Sequence, residues 1–438
     1  MTMRNGTFRR STTCLVAVGI AALGGACSSN GSTGTLTGGP PPVVVDEPTG
    51  TSTKSVAGVD HNNPGPGGTP VGATKANPTF GTDPNLKTNP NIMARVINYG
   101  EALRTATLKL VGDLPTLQDI HDIETAATAA DGGQSVYNAK IDTLLADPRF
   151  AVRQIQWWRD TFKTGEAGQA TGKGVPSFDT AATFAAYVTV NSLPYTQLFT
   201  ATTGTCPTFA MGTFTAANCA NNAPTAGVLT DPGLMAQYYA DLAIRRVRFI
   251  QETFVCNKFP TEFSAAPVAM GAGIYTSPWP FTSITGGAAA RINFQDTSSV
   301  VCANCHTTIN HIAPLFSYFD VNGNYTTGKI QVTTPSVGSP TSQLADWLPA
   351  GEPFGWRDGT PITDIPSLGV AMAADPDVAQ CAVNRVWNYA MSRGDIVNDL
   401  ATVPSVVTQP LLMTFQMNGQ KLLPVIRAAF TSDDFIRF

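Results

Sequence analysis

One run of five residues, Cys302-Ala303-Asn304-Cys305-His306, narrows the possible folds of this chain more than any other feature. Two thiols two residues apart share a single helical turn, and an imidazole follows at once. That spacing suits a tetrapyrrole with two vinyl groups: each thiol adds to one vinyl, and the histidine faces the iron as proximal ligand. Covalent attachment keeps such a group bound without a large enclosing pocket. A redox disulfide would also use Cys-x-x-Cys, but no βαβ pattern surrounds the motif. Half a zinc site would need a second ligand pair, and none lies nearby. A relic that no longer takes a cofactor is the remaining alternative. The attachment reading predicts one haem c, bonded at Cys302 and Cys305 and ligated by His306.

Haem c is attached outside the cytoplasm, and the N-terminus reads as an export signal. Arg4, Arg9 and Arg10 precede an apolar core from Cys14 to Gly25. That core is shorter than the roughly 20 residues a spanning helix needs. Leu23-Gly24-Gly25-Ala26-Cys27 resembles a bacterial lipobox, with Cys27 as the lipidated residue, although Gly24 stands where leucine is usual. An ordinary signal cut near Ala26 is the alternative. Ser28 rather than aspartate follows the cysteine, which points to the outer membrane, facing the periplasm or the cell surface. Residues 27–85 are Gly, Pro, Ser and Thr without apolar periodicity and read as a disordered tether. Charged residues make up 13% of the chain, against roughly 25% in soluble domains, which suits an exported protein. The net charge is −4 with no long basic run, so nucleic-acid binding has no electrostatic footprint.

Cysteine usage agrees with an oxidising compartment. Of eight cysteines, Cys14 leaves with the signal, Cys27 takes the lipid and two serve the motif. Cys206, Cys219, Cys256 and Cys381 remain, an even set that implies two disulfides. Three pairings are formally possible. Cys206–Cys219 is the natural local pair, and Cys256–Cys381 would then tie the centre of the chain to its C-terminal part.

Helical periodicity begins near Met93, Val96, Ile97 and Leu103. Thr116 with Asp119 forms a capping-box variant that opens a second helix. Further helices are predicted at 137–145, 150–162, 234–254, 366–393 and 408–430. Residues 166–230, rich in Thr, Ala and Gly, read as a disulfide-containing insertion of loops and short strands. The expected organisation is a signal at 1–26, the tether at 27–85, an N-terminal helical domain at 86–165, the insertion at 166–230, a haem-binding domain at 231–335 and a C-terminal helical domain at 336–438.

Beyond the motif, Phe319-Asp320-Val321-Asn322-Gly323-Asn324-Tyr325 completes a recognisable frame. The chain resembles the cytochrome-associated domains of unknown function in secreted planctomycete and myxobacterial proteins. Those domains carry Cys-x-x-Cys-His, an Asp-Pro-Ile-Gly stretch and Phe-Asp-x-x-Gly-x-Tyr/Trp. Here Asn310 and His311 stand where Asp-Pro would be. Leu114-Pro115-Thr116, the run from Leu144 to Phe150, Phe254-Val255-Cys256 and Thr431-Ser432-Asp433-Asp434-Phe435 match the family's outlying signatures in order. The resemblance implies a mostly α, multi-helix, cytochrome c-like assembly and an electron-transfer role with an unidentified redox partner protein.

A low-spin haem needs a second axial ligand. Met270, in a Gly-rich stretch, and Met417, before Asn418-Gly419, are the distal candidates; His121 and His311 are weaker. Arg291 would pair with a propionate, and Phe316 and Phe319 would pack on the ring edge. Asp320, Asn322 and Asn324 hint at a calcium loop, but Tyr325 stands where the required glycine would be, so an asparagine turn is the better reading. No hydrolase, nucleotide or metalloprotease motif is present. The expectation is therefore an exported, lipid-anchored monohaem c-type electron carrier. The alternatives are a cell-surface interaction protein whose haem is structural or lost, and a peroxidase-like enzyme with an open distal site.

Overall fold

Polar caps start the N-terminal helices. Asn98 accepts from the backbone N–H of Glu101 and opens α1, Tyr99–Leu110. Thr116 and Asp119 form both halves of the expected capping box, at 3.1 and 3.0 Å, and open α2, Leu117–Ala126. Asp147-Pro148 ends α3, Gln134–Ala146, and starts α4, Pro148–Phe162, with aspartate as cap and proline at the first helical position.

The chain is a computed structural model that describes residues 95–165, 177–239, 243–257, 308–327, 331–333, 341–343, 353–357, 359–397, 400 and 403–438. All lie within the unit Val56–Phe438. The described part is mostly helical, with three short antiparallel strand pairs.

The first helix starts later than its periodicity implies. Val96 and Ile97 are exposed and extended: Val96 exchanges two backbone hydrogen bonds with Phe438, at 3.1 and 3.0 Å. Their partner is the far end of the chain, which local spacing does not reveal.

The largest difference lies in the region read as an insertion of loops and strands. Its first part is a core helix, α5, Asp179–Val190, packed along α4. Ala181, Ala182, Phe184, Ala185, Ala186 and Val188 are all buried, and Trp158 Nε1 donates to Thr189 Oγ1 across the interface at 3.1 Å. A helix buried nearly all round has no polar face, so its sequence lacks the amphipathic contrast that periodicity detects. The second part agrees with the reading. After α6, Gln197–Thr200, the strands β1, Thr208–Ala210, and β2, Thr213–Thr215, form a hairpin with Thr208 opposite Thr215.

The helix expected at 234–254 is two helices, α7, Pro232–Gln237, and α8, Ile244–Phe254. Ala243, just before α8, is left-handed with φ 52°. A 3₁₀ turn, Ala313–Phe316, follows. Then come β3, Gln331–Thr333, paired with β4, Thr341–Gln343, and β5, Phe354–Gly355, paired with β6, Pro361–Ile362. The expected helix 366–393 divides at Asp375-Pro376 into α9, Ile365–Ala374, and α10, Pro376–Ala390. The expected 408–430 divides at Asn418-Gly419 into α11, Ser405–Met417, and α12, Leu422–Phe430, before α13, Asp433–Ile436. Asp375 caps α10, accepts from Trp356 Nε1 at 2.7 Å, and shares the buried Arg357 with Asp377.

One continuous cluster of buried side chains runs from Tyr99 to Ile436. Segments expected in the N-terminal, central and C-terminal parts all contribute to it. Tyr137 OH donates to the Phe430 carbonyl at 2.7 Å, and Lys109 and Tyr389 exchange side-chain-to-carbonyl hydrogen bonds. Among the described residues no helix is long and apolar enough to cross a membrane.

Candidate functional site

Cys302, Cys305 and His306 lie outside the described residues, as do Cys27, Met270 and Arg291. The described chain resumes at Thr308, two residues after the histidine. Residues 308–312 are helical and run into the 3₁₀ turn. Ile309, Ile312, Ala313, Phe316 and Phe319 are buried, so this flank of the motif is part of the main core. Phe316 and Phe319 lie with ring centroids 6.4 Å apart.

The following loop closes on itself. Asp320 Oδ1 accepts from the backbone N–H groups of Asn322 (2.8 Å) and Asn324 (2.9 Å), and Asp320 N–H donates to the Asn324 carbonyl. That is an aspartate-anchored turn. Tyr325 packs on Tyr318 at 5.5 Å and on Phe319 at 5.3 Å.

The group that fixes this flank is Arg246, which sequence reasoning missed. Its side chain is 1% exposed. Nε and Nη2 donate to the Met235 carbonyl, Nη1 to the carbonyls of Phe316 and Phe319, and Nη2 also to that of Asp320. The guanidinium lies 5.7 Å from the Phe319 ring centroid and 5.5 Å from that of Tyr239. Burial pulls its pKa down to about 10, which leaves it charged at neutral pH. Converging carbonyl dipoles thus stand in for a carboxylate. A usable signal was present. Arg246 falls four residues before Ile250 and eight before Phe254, on the apolar face of α8, while Arg245 and Arg248 point outward.

Asn221 makes a second tie. Its amide donates to the carbonyls of Thr230 (2.9 Å) and Gly323 (3.2 Å), and its own carbonyl accepts from Tyr325 N–H at 3.1 Å. The hairpin region is therefore bonded directly to the loop after the motif. Gly323 is required there. Its φ is 74°, and a β-carbon would lie 2.0 Å from the Pro232 carbonyl oxygen. Gly323→Ala is expected to cost about 2–3 kcal/mol, through the close contact and the left-handed backbone. A urea-unfolding midpoint unchanged from the parent chain would contradict that.

Asn257 and Thr308 are the described residues on either side of 258–307. Asn257 Nδ2 and Thr308 Oγ1 are buried without a hydrogen-bond partner. An amide N–H and a hydroxyl, one on each side of the motif-bearing stretch in sequence, are donors of the type a carboxylate accepts from.

The other sequence-derived candidates sit on different elements. Met417 is 82% exposed at the end of α11. His121 is exposed on α2, and His311 is half-buried beside Gly355. The cysteines pair as expected, Cys206 with Cys219 and Cys256 with Cys381. The first disulfide closes the base of the β1–β2 hairpin; the second joins the end of α8 to α10. No protein-family model, curated protein or solved structure matches this chain.

Proposed function

We propose that this chain is an exported, lipid-anchored monohaem c-type cytochrome that passes single electrons in the periplasm or at the cell surface. The observation that carries the reading is Cys302-Ala303-Asn304-Cys305-His306. Cys302 and Cys305 would hold the porphyrin through thioether bonds, and His306 would ligate the iron. Bound haem supplies a one-electron ferric–ferrous couple. The chain's own contribution is a fixed flank for the histidine. Arg246 and Asn221 bind residues 316–325 from two sides, and the buried aliphatic residues of 308–312 anchor the segment that leads away from His306. A rigid supporting shell holds a ligand in one geometry through both oxidation states. The two unpartnered donors, Asn257 and Thr308, are of the type that would donate to a propionate.

Production in a periplasm that contains the c-haem maturation machinery is expected to give one covalently bound haem per chain. The pyridine haemochrome spectrum of the denatured, acid-extracted protein measures it. The Cys302→Ala/Cys305→Ala double variant is expected to retain none. Parent protein matured in this way without covalent haem would overturn the proposal. With haem bound, a low-spin ferric spectrum with a methionine-to-iron charge-transfer band is expected of an electron carrier. A high-spin ferric spectrum would instead favour a peroxidase-like site.

A further inference from the structure

Asp231 is completely buried, and its partners are neutral. Oδ1 accepts from the Leu234 N–H at 2.9 Å, and Oδ2 accepts from the Thr180 hydroxyl at 2.7 Å. Oδ2 also stands 3.7 Å from Cys206 Sγ. Burial pushes the carboxyl up to about 6, even though the hydrogen bonds from Thr180, Leu234 and Gly233 pull it down. Capping the short helix that follows does not need this charge, because asparagine, serine or threonine caps as well. A buried carboxyl with only neutral partners costs the fold stability, a pattern that recurs where a proton is moved.

The disulfide beside it is less deeply buried, and Cys219 Sγ also lies 3.4 Å from the Thr205 hydroxyl. Cys206 and Cys219 are half-exposed, and residues 215–218 and 220 around Cys219 are exposed. Both sulfurs and a carboxylate oxygen of Asp231 lie within 4.8 Å of one another. Cys256–Cys381 offers the contrast: its cysteines are 3% and 1% exposed, and the polar atoms near its sulfurs are the carbonyls of Cys381 and Thr253.

The geometry points to a second activity, independent of haem: Cys206–Cys219 is a thiol–disulfide exchange centre in which Asp231 gives a proton to, and takes it from, Cys206. The co-reactant is a dithiol. Its thiolate attacks Sγ of the partly exposed Cys219, the bond between the two cysteines breaks, and the electron pair leaves on Cys206 Sγ. Cys206 takes the proton held by Asp231. The second thiol of the reductant, deprotonated by water, then displaces Cys219 from the mixed disulfide, and Cys219 takes a proton from water. The dithiol ends oxidised by two electrons as its disulfide, and the protein pair ends as two thiols. In the reverse direction the Asp231 carboxylate draws the proton from Cys206, which becomes the attacking thiolate. Protonating a leaving thiolate and deprotonating an attacking thiol are ordinary general acid–base work.

The test follows reduction of the oxidised full-length protein by dithiothreitol between pH 5 and pH 8. Alkylation and peptide mass spectrometry read Cys206 and Cys219 separately from Cys256 and Cys381. Asp231→Asn keeps a cap oxygen and a group facing Thr180, and circular dichroism verifies its fold. Parent and variant meet the same thiolate concentration, so the ratio of their rates cancels the titration of the reductant. The parent is expected to react roughly tenfold faster or more at pH 5, with the advantage gone by pH 8. Thr180→Val removes a hydrogen bond that stabilises the carboxylate, so its fast acid limb is expected to extend to higher pH. A parent-to-Asn ratio that stays flat across the range, or an acid limb in Thr180→Val that does not move, would overturn the assignment and leave Asp231 as a helix cap only.

Discussion

Replacing Arg246 with methionine is expected to lower global stability by about 4 kcal/mol or more. The size comes from what the guanidinium leaves behind. Five hydrogen bonds end on four carbonyls, those of Met235, Phe316, Phe319 and Asp320. The Phe316 and Asp320 carbonyls keep a second donor, the N–H groups of Phe319 (3.3 Å) and Gly323 (3.1 Å), but those of Met235 and Phe319 are left with none. Each unpaired buried carbonyl costs about 1–3 kcal/mol, and methionine returns only part of that through apolar packing. The loss is also directional, because three of the four carbonyls belong to residues 316–320. Hydrogen exchange is expected to accelerate first in 308–327, ahead of α1 and α3. Arg246→Lys keeps the charge but not the planar fork, and its compact ammonium does not span from the Met235 carbonyl to the three on the far side. It is expected to fall between parent and Arg246→Met. A methionine variant within about 1 kcal/mol of the parent, by denaturant midpoint, would mean that the Met235 and Phe319 carbonyls are satisfied by water.

Arg246 also illustrates what was legible in the sequence. Features fixed by neighbours within a turn or two were readable: the Thr116–Asp119 box, the Asp147-Pro148 junction, the Asp320 turn, and Cys206 paired with a cysteine 13 residues away. Cys256–Cys381 was readable for another reason, since an even set of thiols and one local pair leave the last two for each other. Features set by distant partners were not. The extended Val96 and Ile97 depend on the last two residues of the chain, and the α7–α8 break carries no glycine or proline to mark it. Helix α5 was hidden by its burial, since Ala and Thr on every side make a helix without contrast resemble a loop. A cationic residue on the apolar face of α8 was visible, but its meaning depends on four carbonyls brought to it from two other segments. The attachment motif itself, read from spacing alone, sits beside a flank whose rigidity only the fold discloses.

Removing the Cys256–Cys381 disulfide, as Cys256→Ala/Cys381→Ala, is expected to be the costliest change among the cysteines. The bridge spans 125 residues, against 13 for Cys206–Cys219. In the chain-entropy account the longer loop constrains the unfolded state by about 5 kcal/mol and the shorter by about 3 kcal/mol. The native joint explains why part of this survives. Helix α10 presents Cys381 and Arg385 one turn apart to the end of α8. Arg385 Nε donates to the Thr253 carbonyl at 3.1 Å and Nη2 to that of Glu252 at 3.0 Å, while Asp395 pairs with Nη1. The arginine caps the same helix terminus that the disulfide ties, so the two act on one junction and their deletions are expected to be non-additive. A double-mutant cycle with Arg385→Met measures that coupling. Backbone conformation adds a second, smaller term. Cys256 is left-handed with φ 56°, a region in which alanine is strained and glycine is not. Cys256→Gly/Cys381→Ala is therefore expected to recover about 1 kcal/mol relative to the double-alanine variant. Guanidinium unfolding without reductant gives both numbers. A Cys206→Ala/Cys219→Ala variant less stable than Cys256→Ala/Cys381→Ala would reverse the order that loop length dictates.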